Sequence, residues 1–129
     1  MPQYKKDCLF CKFAKHEVDV AVAYEDDKVI AFLDINPAGI LSGHTVIIPK
    51  KHFEMIDEVD DDYLEALSLA IKKLVPAIRK VSCAQGINIV QNNGKVAGQL
   101  IPHVHFHIIP RKQRDGIHFD ENRRAAKPM

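Results

Sequence analysis

Three observations in the sequence predict an α+β domain. Strand-like runs stand mostly before one long helical pattern, with two more after it. The turns between the first runs are of hairpin length, which favours antiparallel pairing. The long pattern carries a single apolar stripe, as a helix lying on a sheet does. Together these predict a five-stranded antiparallel sheet with one main helix, and they exclude a parallel sheet of alternating βαβ units.

Each element has its own signal. Cys8-Leu9-Phe10-Cys11-Lys12-Phe13 opens the folded part as a short helix or turn. Residues 20–24 and 29–34 are β-rich, and Glu25-Asp26-Asp27-Lys28 between them suits a hairpin turn. Ile35-Asn36-Pro37-Ala38-Gly39 and Ser42-Gly43 are loop chemistry. Thr45-Val46-Ile47-Ile48 is a third strand ended by Pro49, which has no proton for a ladder bond. Over residues 57–81, Leu64, Leu67, Ile71, Leu74 and Ile78 recur at spacings of three and four, one face of a helix. Asp60, Asp61 and Asp62 suit the positive end of that helix. Pro76 removes a backbone donor and crowds the preceding turn, so a kink or restart is expected near residues 72–75. Gly86 ends the segment. A fourth strand over 87–91, a loop from Asn92 to Gln99 and a fifth strand over 103–109, ended by Pro110, complete the pattern.

No repeat or linker interrupts the 129 residues, which read as one domain with its core at about 7–112 and a C-terminal tail over 113–129. At 47% hydrophobic, the chain can bury a core without disulfide staples. Lys and Arg number 18 against 17 Asp and Glu, a net charge of +1, too even for a protein that grips nucleic acid by charge. No run is long enough for a membrane span, and the polar start, residues 1–6, leads into no signal-peptide core. Three cysteines are an odd count for a secreted disulfide scaffold, so a reducing cytoplasmic setting is expected.

Histidine carries the chemistry. His103-Val104-His105-Phe106-His107 alternates with period two, which projects three imidazoles from one face and Val104 and Phe106 from the other. Burying three imidazoles without purpose would cost polar desolvation three times. One ion on all three is disfavoured, because His103 and His107 stand about 13 Å apart at roughly 3.3 Å per residue. The other chemistry makes one imidazole a nucleophile: neutral near pH 7, it needs no separate base. Its neighbours then donate to charge developing on a phosphoryl centre. Cys8-x-x-Cys11 is half of a tetrahedral zinc site, and with Cys83 alone near the helix end as a packed thiol, histidines must complete it.

His103-Val104-His105-Phe106-His107-Ile108-Ile109 resembles the signature of the histidine-triad nucleotide hydrolases and transferases. Residues 31–37, 43–52 and 92–99 match further pieces in order, so the resemblance covers about residues 7–112. It implies that His105 attacks the α-phosphorus of a nucleotide, that a nucleotidyl-histidine forms, and that water releases a nucleoside monophosphate. His107 and His44 then lie at the phosphate. Asp34 binds the ribose, and Phe32 and Ile35 line a base pocket, with a purine favoured. Asn92, Gly98 and Gln99 form the phosphate side, where glycines let backbone N–H groups approach an anion. In branches with the cysteine pair, His52 and His103 complete the zinc site as a structural one. The resemblance also implies a homodimer through the helix and an edge strand. Leu100 departs from the pattern: many members carry a Ser or Thr hydroxyl there that donates to the leaving group, so leaving groups that depart as anions are favoured. Two rivals stand beside this reading: a metal-dependent hydrolase with the triad as ligands, and a nucleotide-binding regulatory module with little turnover.

Overall fold

A computed structural model describes residues 4–34 and 43–117. Strands β1 (Val22–Glu25), β2 (Val29–Leu33), β3 (Thr45–Pro49), β4 (Gly86–Gln91) and β5 (Phe106–Arg111) form one sheet in the order β1-β2-β3-β5-β4. Every neighbouring pair is antiparallel. Helix α1 (Leu9–Ala14) precedes the sheet, and helix α2 (Asp61–Ser82) separates β3 from β4. This is the α+β architecture that the sequence predicts. The first turn forms because Asp26 Oδ1 accepts from the backbone N–H groups of Lys28 and Val29.

Period-two alternation sends alternate residues of β2 and β3 to two different covers. Val29, Ala31 and Ile47 join Val104 and Ile108 in a core against Leu67, Ala70 and Leu74 of α2. Ile30, Phe32, Val46 and Ile48 instead pack with Phe10, Cys11 and Phe13 of α1. Both faces of the central strands are therefore dry, which explains why they read as unbroken apolar runs. The imidazoles of the histidine segment belong to the α1 side.

Several boundaries differ from expectation, each for a local reason. The fifth strand begins at Phe106 rather than 103. The N–H groups of His103 and Val104 donate to Ile101 and Phe53 carbonyls, so this stretch is tied to the segment after β3 and leaves the ladder. Pro49 is the last residue of β3, as expected, whereas Pro110 does not end β5, which runs on to Arg111. The β3–β5 pairing spans only Thr45–Ile47 against Phe106–Ile108, so each proline has a strand on one side only and its missing N–H leaves no gap. The expected restart at residues 72–75 is absent: α2 runs through Pro76, which is exposed, while Leu67, Ala70 and Leu74 hold the helix down. Residues 56–58 form a separate 3-10 turn instead of the first helical turn. The helix closes at Cys83 in the left-handed region (φ 56°), and Gly86 opens β4 rather than ending the helix. Cys83 is exposed, not packed, because this end of α2 faces solvent. Among the described residues, no helix is long and apolar enough to cross a membrane.

Candidate active site and metal cluster

The chain brings Cys8, Cys11, His52 and His103 together in a buried cluster, their ligand atoms all within 4.8 Å of one another. Cys8 caps α1 and Cys11 lies one turn on, so the short helix aims both sulfurs the same way. Cys11 Sγ is 3.3 Å from His52 Nδ1 and 3.5 Å from His103 Nδ1. Cys8 Sγ is 3.4 Å from His103 Nδ1, and the two Nδ1 atoms are 3.2 Å apart. A tetrahedral zinc ion has N···N edges of about 3.3 Å and N···S edges of about 3.6 Å, from its bond lengths. The cluster fits that figure. His103 Nε2–H donates to the Pro49 carbonyl at 2.9 Å, which leaves Nδ1 as the lone-pair atom facing the other three. Burial pushes His103 down to about 4 and the Cys11 thiol up to about 11. Neutral imidazole is what a metal requires, and a bound dication reverses the thiol preference.

The segment that carries His103 places His105 next to it. His105 Nδ1 lies 2.8 Å from the His103 carbonyl oxygen. A carbonyl only accepts, so Nδ1 carries the proton and a neutral ring has its lone pair on Nε2. Burial lowers the pKa of His105, outweighing that hydrogen bond, which acts the other way. The ring is thus held neutral, oriented and in one tautomer. His107 stands with its ring centroid 5.0 Å away, edge to face. His107 Nδ1 is 3.0 Å from His44 Nε2, and His44 Nδ1 is 3.1 Å from Asp34 Oδ2. Burial, then the neighbouring His105 and His44, pushes His107 down to about 4.

A cavity of about 290 Å³ opens onto these groups. Its lining brings together Phe32, Asp34, Gly98, His105 and His107 from the candidate residues. It also includes Leu9, Phe10 and Phe13 of α1, which sequence reasoning missed as pocket residues. The signal was present: Phe10 and Phe13 lie on either side of Cys11, so tying the cysteines to His103 brings Phe10 onto the triad and Phe13 into the same cavity wall. Phe10 meets His105 edge to face at 5.0 Å and Phe32 at 5.5 Å. Leu100 lines the same cavity and is 81% exposed. Ile35 lies outside the described residues, as does the tail from residue 118.

The glycine loop is shaped by its own side chains. Gly94 and Gly98 have φ of 92° and 100° and bracket a 3-10 turn over Lys95–Ala97, conformations that L side chains resist. A Cβ on Gly98 would stand 3.4 Å from Asn92 Nδ2, so the amide of Asn92 lies directly against this glycine. Gln99 is buried, and both ends of its amide meet backbone: Oε1 accepts from Gly94 N–H, and Nε2 donates to the Glu54 carbonyl. In this structure Gln99 fastens the loop instead of facing the cavity.

The HIT domain model matches residues 15–114. An uncharacterised HIT-like protein of Methanocaldococcus jannaschii is 51% identical over 109 residues, covering 84% of this chain and 82% of its own. The adenosine 5′-monophosphoramidase of Candida albicans is 39% identical over 109 residues, covering 81% of this chain and 70% of its own. A zinc-bound histidine-triad protein of Mycobacterium smegmatis superposes with a TM-score of 0.79 at 31% identity, covering 88% of this chain and 81% of its own. With the matched model, the triad and the shared fold in agreement, the chain belongs to the histidine-triad (HIT) family.

Proposed function

We propose that this protein hydrolyses or transfers at the α-phosphorus of a nucleotide through a nucleotidyl intermediate on His105. The observation that carries the reading is the bond from His105 Nδ1–H to the His103 carbonyl, which leaves Nε2 as a bare nucleophile facing the cavity. Nε2 forms a bond to phosphorus as the bond to the leaving group breaks. Water then displaces His105 and a nucleoside monophosphate departs. His107 and His44 hold the phosphate oxygens, and the aromatic wall of Phe10, Phe13 and Phe32 takes a purine base. Asp34 and Ile35 serve the sugar and base, Asn92 and Gly98 the phosphate, and Gln99 the loop that presents them. The name of the Candida albicans relative supports an adenylate as substrate.

Cys8, Cys11, His52 and His103 would hold a structural zinc ion, which supplies a cross-link between α1 and the segment bearing His105. A homodimer belongs to the same reading: Leu69 on α2 and Ile89 on the edge strand β4 are exposed apolar residues. One observation favours a second reading, metal-dependent hydrolysis: the first triad histidine stands among four ligand groups rather than at the phosphate. Against it, four protein ligands leave no open position for a water or substrate.

Incubation with a panel of dinucleotides, phosphoramidates and mixed adenylates, with product analysis, tests the proposal. Release of a nucleoside monophosphate by the wild type, lost in His105→Ala while nucleotide still binds, is the expected result. Binding without turnover of any substrate would instead identify a regulatory module. Turnover that vanishes on chelation while the fold and the nucleotide affinity persist would identify a catalytic metal.

A further inference from the structure

Asp34, His44 and His107 stand in a line that ends at the cavity: the Asp34 carboxylate lies 3.1 Å from His44 Nδ1 as a charge contact, and His44 Nε2 and His107 Nδ1 share a hydrogen bond of 3.0 Å. The carboxylate charge beside Nδ1 favours a proton on that nitrogen of His44. Two arrangements of the remainder are open. With His44 neutral, its Nε2 accepts from His107 Nδ1–H, and His107 presents a bare Nε2 to a ligand. With a second proton on His44, its Nε2–H donates to His107 Nδ1, and His107 presents Nε2–H. The first arrangement repels a phosphate oxygen. The second binds one and carries a transferable proton.

We propose that Asp34 is a positioning residue that acts through His44 to make His107 the proton donor to the leaving group. This role rests on the nucleotidyl-transfer reading above and extends it. Among the described residues, the titratable groups facing the line include Asp34 and His107 beside His44, and His44, His105 and Asp34 beside His107. Burial disfavours a second proton on His44, and the Asp34 charge favours it. An anionic phosphate entering beside His107 adds to the favourable side, so the proton arrives with the substrate.

The step balances along the line. His105 Nε2 bonds to phosphorus as the bond from phosphorus to the leaving nitrogen breaks. The departing amine takes the Nε2 proton of His107. His107 Nδ1 takes the Nε2 proton of His44, and His44 is left neutral with its Nδ1–H beside the Asp34 carboxylate. Asp34 itself never changes protonation. Leu100, which lines the cavity, has no proton to offer a leaving group, so the donor must come from another side chain.

A carboxylate used only to grip the sugar predicts a different pattern from one that directs a proton, and leaving-group dependence separates them. The experiment measures kcat and KM for adenylates whose leaving groups are an alkylamine, phosphate and p-nitrophenolate. Wild type, Asp34→Asn, Asp34→Glu and His44→Gln are compared, and the wild type is also run on 2′,3′-dideoxy counterparts. Asp34→Asn and His44→Gln are expected to lower kcat by about 100-fold or more for the amine and by less than about tenfold for p-nitrophenolate, the range of one positioned proton donor. Asp34→Glu restores most of the amine rate. The dideoxy substrates lose affinity by one factor whatever the leaving group. A loss in Asp34→Asn that is uniform across leaving groups and matched by the dideoxy substrates would overturn the proposal. A wild type that releases no nucleoside monophosphate from any of them would overturn the underlying reading instead.

Discussion

Phe10→Ala tests how far the N-terminal segment builds the proposed nucleotide pocket. Phe10 is 8% exposed and meets Phe13, Phe32, His103 and His105 with ring centroids 5.9, 5.5, 5.9 and 5.0 Å away. Truncating a buried phenylalanine costs about 3–5 kcal/mol, and here the neighbours cannot collapse into the gap without closing the cavity. At about 4 °C per kcal/mol for a chain of this size, Tm should fall by about 12–20 °C. A base stacked on an aromatic ring gains about 1–3 kcal/mol, so KM should rise by roughly 5- to 150-fold. The reacting atoms are untouched, so kcat should stay within about tenfold. Thermal denaturation and steady-state kinetics on one preparation read all three. Phe10→Leu keeps most of the volume without the ring, and should recover stability more fully than KM. Wild-type KM in Phe10→Ala would refute the idea that α1 forms the base wall.

Three further outcomes are expected. Metal analysis should find about one zinc per chain, and Cys11→Ser should lose the metal and Tm together while His105→Ala retains both; metal-free, fully stable wild type would refute the cross-link. Leu100→Ser should raise phosphoramidate turnover relative to phosphate-leaving substrates by adding a second hydrogen bond to the leaving group beside His107, by up to about tenfold; an unchanged ratio would show that the side chain does not face the leaving group. Stability should be level above about pH 7 and fall between about 6.5 and 4.5. The sign follows from His107, held down at about 4 by burial when folded: the unfolded chain takes up the proton first, so acid favours unfolding. Denaturation midpoints from pH 8 to 4.5 check this, with a shallower fall in His107→Asn. A midpoint independent of pH over that range would contradict it.

The periodic parts of the molecule were legible in the sequence, and the parts set by distant neighbours were not. The stripe on α2 and the alternation of Val104 and Phe106 with the histidines follow from side-chain direction alone, and both recur in the packing. The Cys8, Cys11, His52 and His103 set was legible only through resemblance for its histidines, since nothing local ties residue 52 to residue 8. Pro110 misled because a proline is tolerated wherever one side of its strand lacks a partner, and sheet order is a long-range property. Gln99 and Asn92 look alike as polar loop residues, yet one fastens backbone and the other rests against Gly98. The link from Asp34 through His44 to His107 joins two loop-adjacent residues to a strand more than sixty residues away, which no local pattern encodes.

The stereochemical outcome at phosphorus tests the central claim most directly. A substrate with a chiral phosphorothioate at the α position is hydrolysed in isotopically labelled water, and the configuration of the released nucleoside phosphorothioate is read by NMR. Attack by His105 followed by attack by water is two in-line displacements, so the account predicts net retention. Net inversion, the signature of one direct attack by water, would contradict it.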